Sequence, residues 1–537
     1  MENTKRLLLA LILSAAVIFF YTVFYERFFP SKEAPGKETA GLPEKIAAEK
    51  GAEEEKGLEE EKVLGEKKEV IQKKPFKEEI TEVETPLYRA IFTNHGGGLK
   101  SFQLKNYRET LDKTSGPVEL VKPSGEVMLQ TRISKDSSTE IIPFHLKEPK
   151  TKISVSQNSK EKLSMTYNTP AGLTIEKNYL FNGDNYNIET EITVVNAQKQ
   201  PLKGAVLTGL SSVIIEKEKK KSDAYHSGPI RKVKEKVIRQ KAEAPEESGK
   251  EGLEWIGLED KYFLSALVPA KGSNPGWQSA VTAGNSVSVS VGFPIELKPG
   301  EKALLKYNAF IGPKEYNLLK ANGSGLEETI EFGFFSFIAK PCLSILNFSA
   351  RYIKNYGLAI IVLTVIIKVL FYPLTKHSTT SMKEMQKIQP QMAAVKEKYK
   401  NDKEKVNKEM MELYKRHKIN PVSGCLPMVL QIPVFLGLYE VLGVAIELRH
   451  APFALWIIDL SAKDPYYVTP LVMGATMFVQ QKMTPSTMDP AQAKMMLVMP
   501  VVFTFLFMNF PSGLVLYWLT NNILSIIQQY QILRKAA

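Results

Sequence analysis

The chain has 537 residues, with 70 Lys and Arg against 58 Asp and Glu, and a formal net charge of +12. That length exceeds one ordinary domain, and the charge admits nucleic acid, anionic lipid or the cytoplasmic loops of a membrane protein as its cause. The only two cysteines, Cys342 and Cys425, exclude a disulfide framework; both are expected to be membrane-proximal and unpaired.

Lys5 and Arg6 precede an apolar run from Leu7 to Tyr25. The run suits a bilayer span, and no small-residue cleavage site follows it, because Ser14, Ala15 and Ala16 sit mid-run. Residues 1–25 therefore read as an uncleaved anchor with a cytoplasmic N-terminus. Residues 26–78 read as a flexible linker: from Ser31 on they are mostly Glu, Lys, Ala, Gly and Pro, too polar to pack. Residues 79–327 change period. In "LYRAIFTNHGGGLKSFQL", Leu87, Arg89, Ile91 and Thr93 face one way and Tyr88, Ala90 and Phe92 the other. "KISVSQ", "KLSMTYN", "LTIEKNYLF", "YNIETEITVVN", "AVTAGNSVSVSVGF" and "KALLKYNAFIG" read as further strands, so the segment is predicted to be a large antiparallel β-sandwich. Its basic insert "KEKKKSDAYHSGPIRKVKEKVIRQK" reads as an exposed loop or hairpin excursion.

Residues 328–355, aromatic but too interrupted to span, are expected to form a helix in the outer membrane interface. Five spans follow the anchor, at 356–375, 421–446, 466–482, 495–509 and 514–533, with "FPSG" as a tight turn between the last two. Twelve cations from Lys376 to Lys418 crowd the segment 376–420, and Lys494, Arg534 and Lys535 fall on the same side. The opposite loop, 447–465, is mixed and aromatic. Positive-inside asymmetry therefore places 376–420, the loop 483–494 and the C-terminus in the cytoplasm. Met382, Met385, Ile388, Met392, Val395 and Tyr399 recur near helical spacing, with Pro390 as a break. With "DKEKVNKEMMELYKRH" they predict a cytoplasmic hairpin of two amphipathic helices.

Catalytic motifs are absent. The six histidines are scattered, and the sequence holds no HExxH, paired CxxC, P-loop or GxSxG. "NHGGGLKSF" resembles an esterase oxyanion loop, but without a nucleophile its glycines read as a strand turn or bulge. No enzyme, metal or cofactor is expected. Lys368 stands out inside the first of the five spans. A mid-membrane lysine costs roughly 2.5–3.5 kcal/mol, so such residues face a protein interior or water. It lies eight residues before Lys376, about 12 Å along a continuous helix, which is far for simple snorkelling. Thr364, Gln431, Gln481, Asn521, Asn522 and Gln528 share the inner half of the bundle and with Lys368 predict a hydrated groove open to the cytoplasm.

At these residues the chain resembles the YidC-type membrane protein insertases of Gram-negative bacteria. The resemblance covers nearly the whole length and is carried by "YPLTKHSTTSMKEMQKIQPQM", "NPVSGCLPMVLQIPVFLGLY", "ELRHAPFALWIIDLSAKDPYYVTPLVMG" and "FPSGLVLYWLTNN". It implies a multi-pass inner-membrane protein, with a galactose-mutarotase-like sandwich in the periplasm and both termini in the cytoplasm. It implies that a substrate's polar part enters the groove while its apolar segment slides into the bilayer, alone or beside the Sec translocon. It also implies as partners nascent membrane proteins, the Sec translocon with its accessory subunits, a ribosome or signal-recognition machinery, and anionic lipids. The short tail ending at Ala537 argues against strong tail-mediated ribosome binding. The family's groove arginine corresponds here to Lys368, which keeps the charge and loses the planar fork. Thr364, Phe435 and Met473 carry over as substrate contacts, Trp518 as a groove residue, and Leu506 replaces an aromatic contact. Two other classes remain open: a polytopic transporter, which would want ion-pair relays and repeats, and a membrane-anchored sugar-binding protein or epimerase.

Overall fold

The computed structural model describes residues 77–535 apart from 113, 122–126, 136, 137, 214–224, 242–245, 283–285, 418, 421–425 and 485–489. The expected anchor and all but the last two residues of the expected linker lie outside the described residues, as does Cys425.

Alternating strands build three sheets. The five-stranded sheet runs in the order Pro117–Val121, Gly98–Arg108, Tyr88–Thr93, Ile80–Glu84, Lys152–Ser154. The nine-stranded sheet runs Lys236–Arg239, Gly228–Val233, Leu253–Glu259, Phe263–Pro269, Lys302–Pro313, Asn187–Asn196, Leu173–Asn182, Lys160–Asn168, His145–Leu146. The six-stranded sheet runs Glu247–Gly249, Gly276–Thr282, Ser286–Leu297, Leu202–Val213, Arg132–Lys135, Ser138–Ile141. Neighbours are antiparallel except Ile80–Glu84 with Lys152–Ser154, which is parallel. The period-2 pattern sends Tyr88, Ala90 and Phe92 into the core with Phe102, Tyr179, Phe181, Trp255 and Phe310.

Some core positions of the strands carry charge. Lys177 lies on the inner face of Leu173–Asn182 between Ile175 and Tyr179 and is fully buried. Its Nζ donates to the carbonyls of Gly96 (3.3 Å), Gly97 (3.0 Å) and Leu129 (2.6 Å). Burial pushes its pKa well below the usual lysine value. The expected glycine turn explains how the carbonyls come so close. Gly96 and Gly97 take φ of 71° and 55°, and a Cβ on Gly97 would sit 3.0 Å from the Lys177 stem.

Two strand expectations are corrected. "AVTAGNSVSVSVGF", expected as one strand, spans two, Gly276–Thr282 and Ser286–Leu297, paired antiparallel with Val281 opposite Val287. Ala-Gly-Asn is turn chemistry inside a run of β-formers. The described part of the basic insert is a hairpin, one of the two forms expected, but it is not an exposed excursion: Gly228–Val233 pairs with Lys236–Arg239 on one side and with Leu253–Glu259 on the other, within the nine-stranded sheet. Its cations hid it. Arg231 is buried over the Trp277 ring and paired with Glu247, and Lys232 is bonded to Glu328 at 2.8 Å.

Helices follow: α1 (Tyr316–Ala321), α2 (Ser336–Ile353), α3 (Tyr356–Leu370), α4 (Tyr372–Lys387), α5 (Gln389–Lys398), α6 (Lys403–Arg416), α7 (Leu426–Val444), α8 (Val468–Met483), α9 (Pro490–Phe507) and α10 (Ser512–Lys535). In α2, Phe337, Phe348 and Tyr352 are exposed on one side, while Ala339, Leu343, Leu346 and Ala350 are buried on the other. Among the described residues no single helix is long and apolar enough to cross a membrane. The pair α3 and α4 meets that test together but is bent by 61°.

The bend overturns the expectation of one continuous helix over 356–375. Pro373 has no N–H for the carbonyl of Val369, and its ring disfavours helical backbone at Tyr372, so the helix breaks at Phe371. Lys368 thus stands in the last turn of α3, and the 12 Å of continuous helix to Lys376 does not exist. The expected two-helix hairpin is three helices, α4 to α6, closed on a core of Met385, Ile388, Met392, Leu413 and Ile419. The apolar stripe is therefore spent largely on packing. Lys383 Nζ donates to Leu533 O (3.1 Å) and ties α4 to the end of α10.

Candidate substrate groove

The N-cap Asn355 starts α3: its side chain accepts the Leu358 N–H (3.0 Å) and donates to Phe453 O (2.9 Å). Four turns later Lys368 lies beside α10, where its Nζ donates to Ser525 Oγ at 2.7 Å. The last turn of a helix favours a cation. Ser525 Oγ donates in turn to Asn521 O (2.7 Å). Gln431, on α7, donates to Asn521 Oδ1 (3.1 Å) and Tyr517 OH (3.0 Å). A continuous polar seam thus joins α3, α10 and α7.

The structure sorts the expected groove residues into two sets. On α10, residues 521, 525 and 528 recur at helical spacing and face α3 and α7; Gln528 Nε2 reaches Lys368 O at 3.5 Å. One residue later the helix has turned about 100°, so Asn522 and Gln529 face α8. There they donate to Thr476 and Thr484, both at 3.4 Å. Thr364 is buried and gives its hydroxyl to Ile360 O (2.7 Å), and Gln481 is half-buried on α8. Thr364, Asn522 and Gln481 therefore do not join Lys368. Ser525 and Tyr517 complete the seam and were missed, although Ser525 sits at i+4 from Asn521, where an inward face would place it.

One turn earlier along α10, Trp518 packs edge-on to Phe435 (4.8 Å between centroids) and against Phe507 (5.0 Å) and Phe503 (6.2 Å). Leu506, next to Phe507 on α9, is half-buried, and Met473 is fully buried in α8. A substrate helix would reach Met473 only after the bundle parts.

Outside, the bundle is apolar. Val365, Ile366, Val369 and Leu370 of α3, Leu471, Val472, Phe478 and Val479 of α8, and Val498, Val501, Val502 and Phe505 of α9 are exposed. Apolar residues outward and hydrogen-bonded polar residues inward is the arrangement that lipid demands.

Residues 348–537 match the family described as 60Kd inner membrane protein, and residues 80–345 match the YidC periplasmic domain. The membrane protein insertase YidC of Syntrophus aciditrophicus (strain SB) is 45% identical, over 99% of this chain and 100% of that protein. The membrane protein insertase YidC of Geobacter sulfurreducens is 47% identical, over 84% of this chain and 85% of that protein. A crystal structure of an active YidC insertase aligns with 84% of this chain and 94% of its own, at 18% identity and a TM-score of 0.37. On the full-length identity of these relatives, the chain belongs to the YidC family of membrane protein insertases, inner-membrane proteins with a periplasmic domain.

Proposed function

We propose that the seam around Lys368 is where this insertase receives the polar part of a nascent membrane protein while the apolar part enters lipid. The observation that carries this reading is a hydrogen-bonded ammonium inside a bundle whose outer surface is apolar. A fixed positive charge there lowers the desolvation cost that an acidic or polar segment meets in bare lipid. The aromatic group around Trp518 and Phe435, together with Leu506 of α9 and, once the bundle parts, Met473 of α8, forms the side along which an apolar segment slides.

In the same reading the anchor, α3 (the expected span 356–375, cut short at Phe371) and α7 to α10 make six crossings. Both termini and α4 to α6 are cytoplasmic, and the sandwich, galactose-mutarotase-like in fold and without catalysis, is periplasmic. The cations from Lys376 to Lys418 support docking of anionic lipid and of a ribosome or signal-recognition machinery at that face. Work beside the Sec translocon and its accessory subunits rests on the family resemblance alone.

The test is insertion of an acidic-tailed single-span substrate into liposomes by Lys368→Arg, Lys368→Ala and Lys368→Glu proteins at equal levels. Arg keeps one charge on a long stem and should retain insertion. Ala should lose roughly fivefold, the equivalent of about 1 kcal/mol, and Glu more. Equal insertion by all three variants overturns the electrostatic role.

A further inference from the structure

Ser525 has two roles to separate. A serine in a membrane helix commonly back-bonds to the carbonyl four residues earlier, and Ser525 does so with Asn521. That habit explains one of its hydrogen bonds. It does not explain why a cation on another helix ends at the same oxygen.

The hydrogen-bond directions are fixed by chemistry. A hydroxyl has one hydrogen and two lone pairs. Ser525 gives its hydrogen to Asn521 O and so presents only lone pairs to the Lys368 ammonium. It cannot rotate to become a competing donor without giving up the Asn521 bond. Asn521 is held from its other end by Gln431, and Gln431 by Tyr517. The acceptor that meets Lys368 is thus braced through two helices. Ser525 is also the one side-chain acceptor that Lys368 meets among the described residues. An ammonium has three N–H groups, so part of its capacity stays open.

We propose that Ser525 is a positioning residue: it holds the Lys368 ammonium at the α3–α10 seam in the resting state, and a carboxylate of the incoming segment displaces it. The inference rests on the reading of Lys368 given above and adds the residue that sets its selectivity. A neutral hydroxyl suits this use. It orients the ammonium, yet its bond is weaker than the doubly charged bond a carboxylate makes. An acidic residue at 525 would neutralise the ammonium permanently, and an alanine would leave it without a fixed direction. The seam therefore favours segments bearing Asp or Glu over neutral polar segments of equal length.

The experiment compares two single-span substrates, one with an acidic tail and one with a neutral polar tail of the same length. Insertion is measured in liposomes with the full-length protein at matched levels. The readout is the ratio of acidic-tail to neutral-tail insertion, which a general loss of stability does not move. Ser525→Asp should lower the ratio about fivefold (about 1 kcal/mol). Ser525→Ala should lower it in the same direction, and Ser525→Thr, which restores a hydroxyl, should return it to the wild-type value. The Ala and Thr pair carries the test if the Asp variant does not accumulate. A wild-type ratio in Ser525→Asp and Ser525→Ala, while Lys368→Ala lowers it, overturns the role of Ser525 and leaves Lys368 standing. A wild-type ratio in Lys368→Ala overturns both.

Discussion

Among the described residues, Lys177 and Lys368 both end inside apolar surroundings, and their acceptors tell them apart. Lys177 has three backbone carbonyls, one for each N–H, and is saturated. Lys368 has one hydroxyl and spare donors, which suits a group that exchanges partners. Glu259, another buried charged residue, is structural in the same sense as Lys177. It accepts from His226 (3.0 Å), Arg239 (2.9 Å) and Lys314 (2.7 Å) while 1% exposed. Burial alone would raise its pKa, but Lys314, His226 and Arg239 outweigh burial and hold it below the ordinary carboxylate value. Its contribution to stability is therefore present above the unfolded pKa, near 4.3, and is lost as pH falls through the lower folded value. Glu259→Gln should destabilise the sandwich by roughly 3 kcal/mol, because it strands buried cations. Protease resistance of the sandwich in the detergent-solubilised full-length protein measures this. The advantage of wild type over the variant should shrink below about pH 4, and an advantage that grows there would contradict the assignment.

At the scale of elements, helix contacts are set by small residues and helix breaks by proline. Pro373 separates α3 from α4 and so fixes the depth of Lys368. Gly474 does the corresponding work between α8 and α9: a Cβ there would stand 1.9 Å from Thr504 Oγ1 and 3.2 Å from its Cβ. Thr504 cannot simply turn away, because its hydroxyl donates to Pro500 O (2.7 Å). Gly474→Ala should lower thermal stability by about 1–3 kcal/mol, the usual cost of overpacking. Thr504→Ala, which removes the opposing atoms, should recover most of that loss in the double variant. Additive losses in a thermal-unfolding cycle would show that the two helices do not meet there.

Across the whole molecule, a short turn links the sandwich to the helical part. In the 3-10 turn Ile446–Leu448, Glu447 accepts from Asn347 of α2 (3.0 Å). Two residues on, Arg449 donates to Glu109 O (3.1 Å) and lies over the Tyr262 and Phe263 rings of the sandwich. The six-crossing reading puts this joint outside and the α4–α6 unit inside. Single cysteines at Lys400 and Ala462, both exposed, introduced in a Cys342→Ala, Cys425→Ala background, check it. In spheroplasts an impermeant thiol reagent should label the cysteine at 462 and spare the one at 400. Labelling of both would refute the topology.

What the sequence determined by itself is what depends on local period and local chemistry. Alternation in "LTIEKNYLF" and "YNIETEITVVN" placed those strands, the Gly96–Gly97 pair announced its turn, and apolar runs located α3 and α7 to α10. Lys368 could be singled out because one charge in an apolar run is conspicuous in one dimension. Tertiary structure decided the rest. Gly228–Val233 joins the sheet only because Trp277, Glu247 and Glu328, distant in sequence, receive its cations. Thr364, Asn522 and Ser525 are all polar residues in helices near Lys368, yet only Ser525 meets it. The reason is rotational: a step of one residue swings a side chain about 100° around a helix, and the neighbour it then faces is fixed by packing between helices rather than by the helix's own sequence.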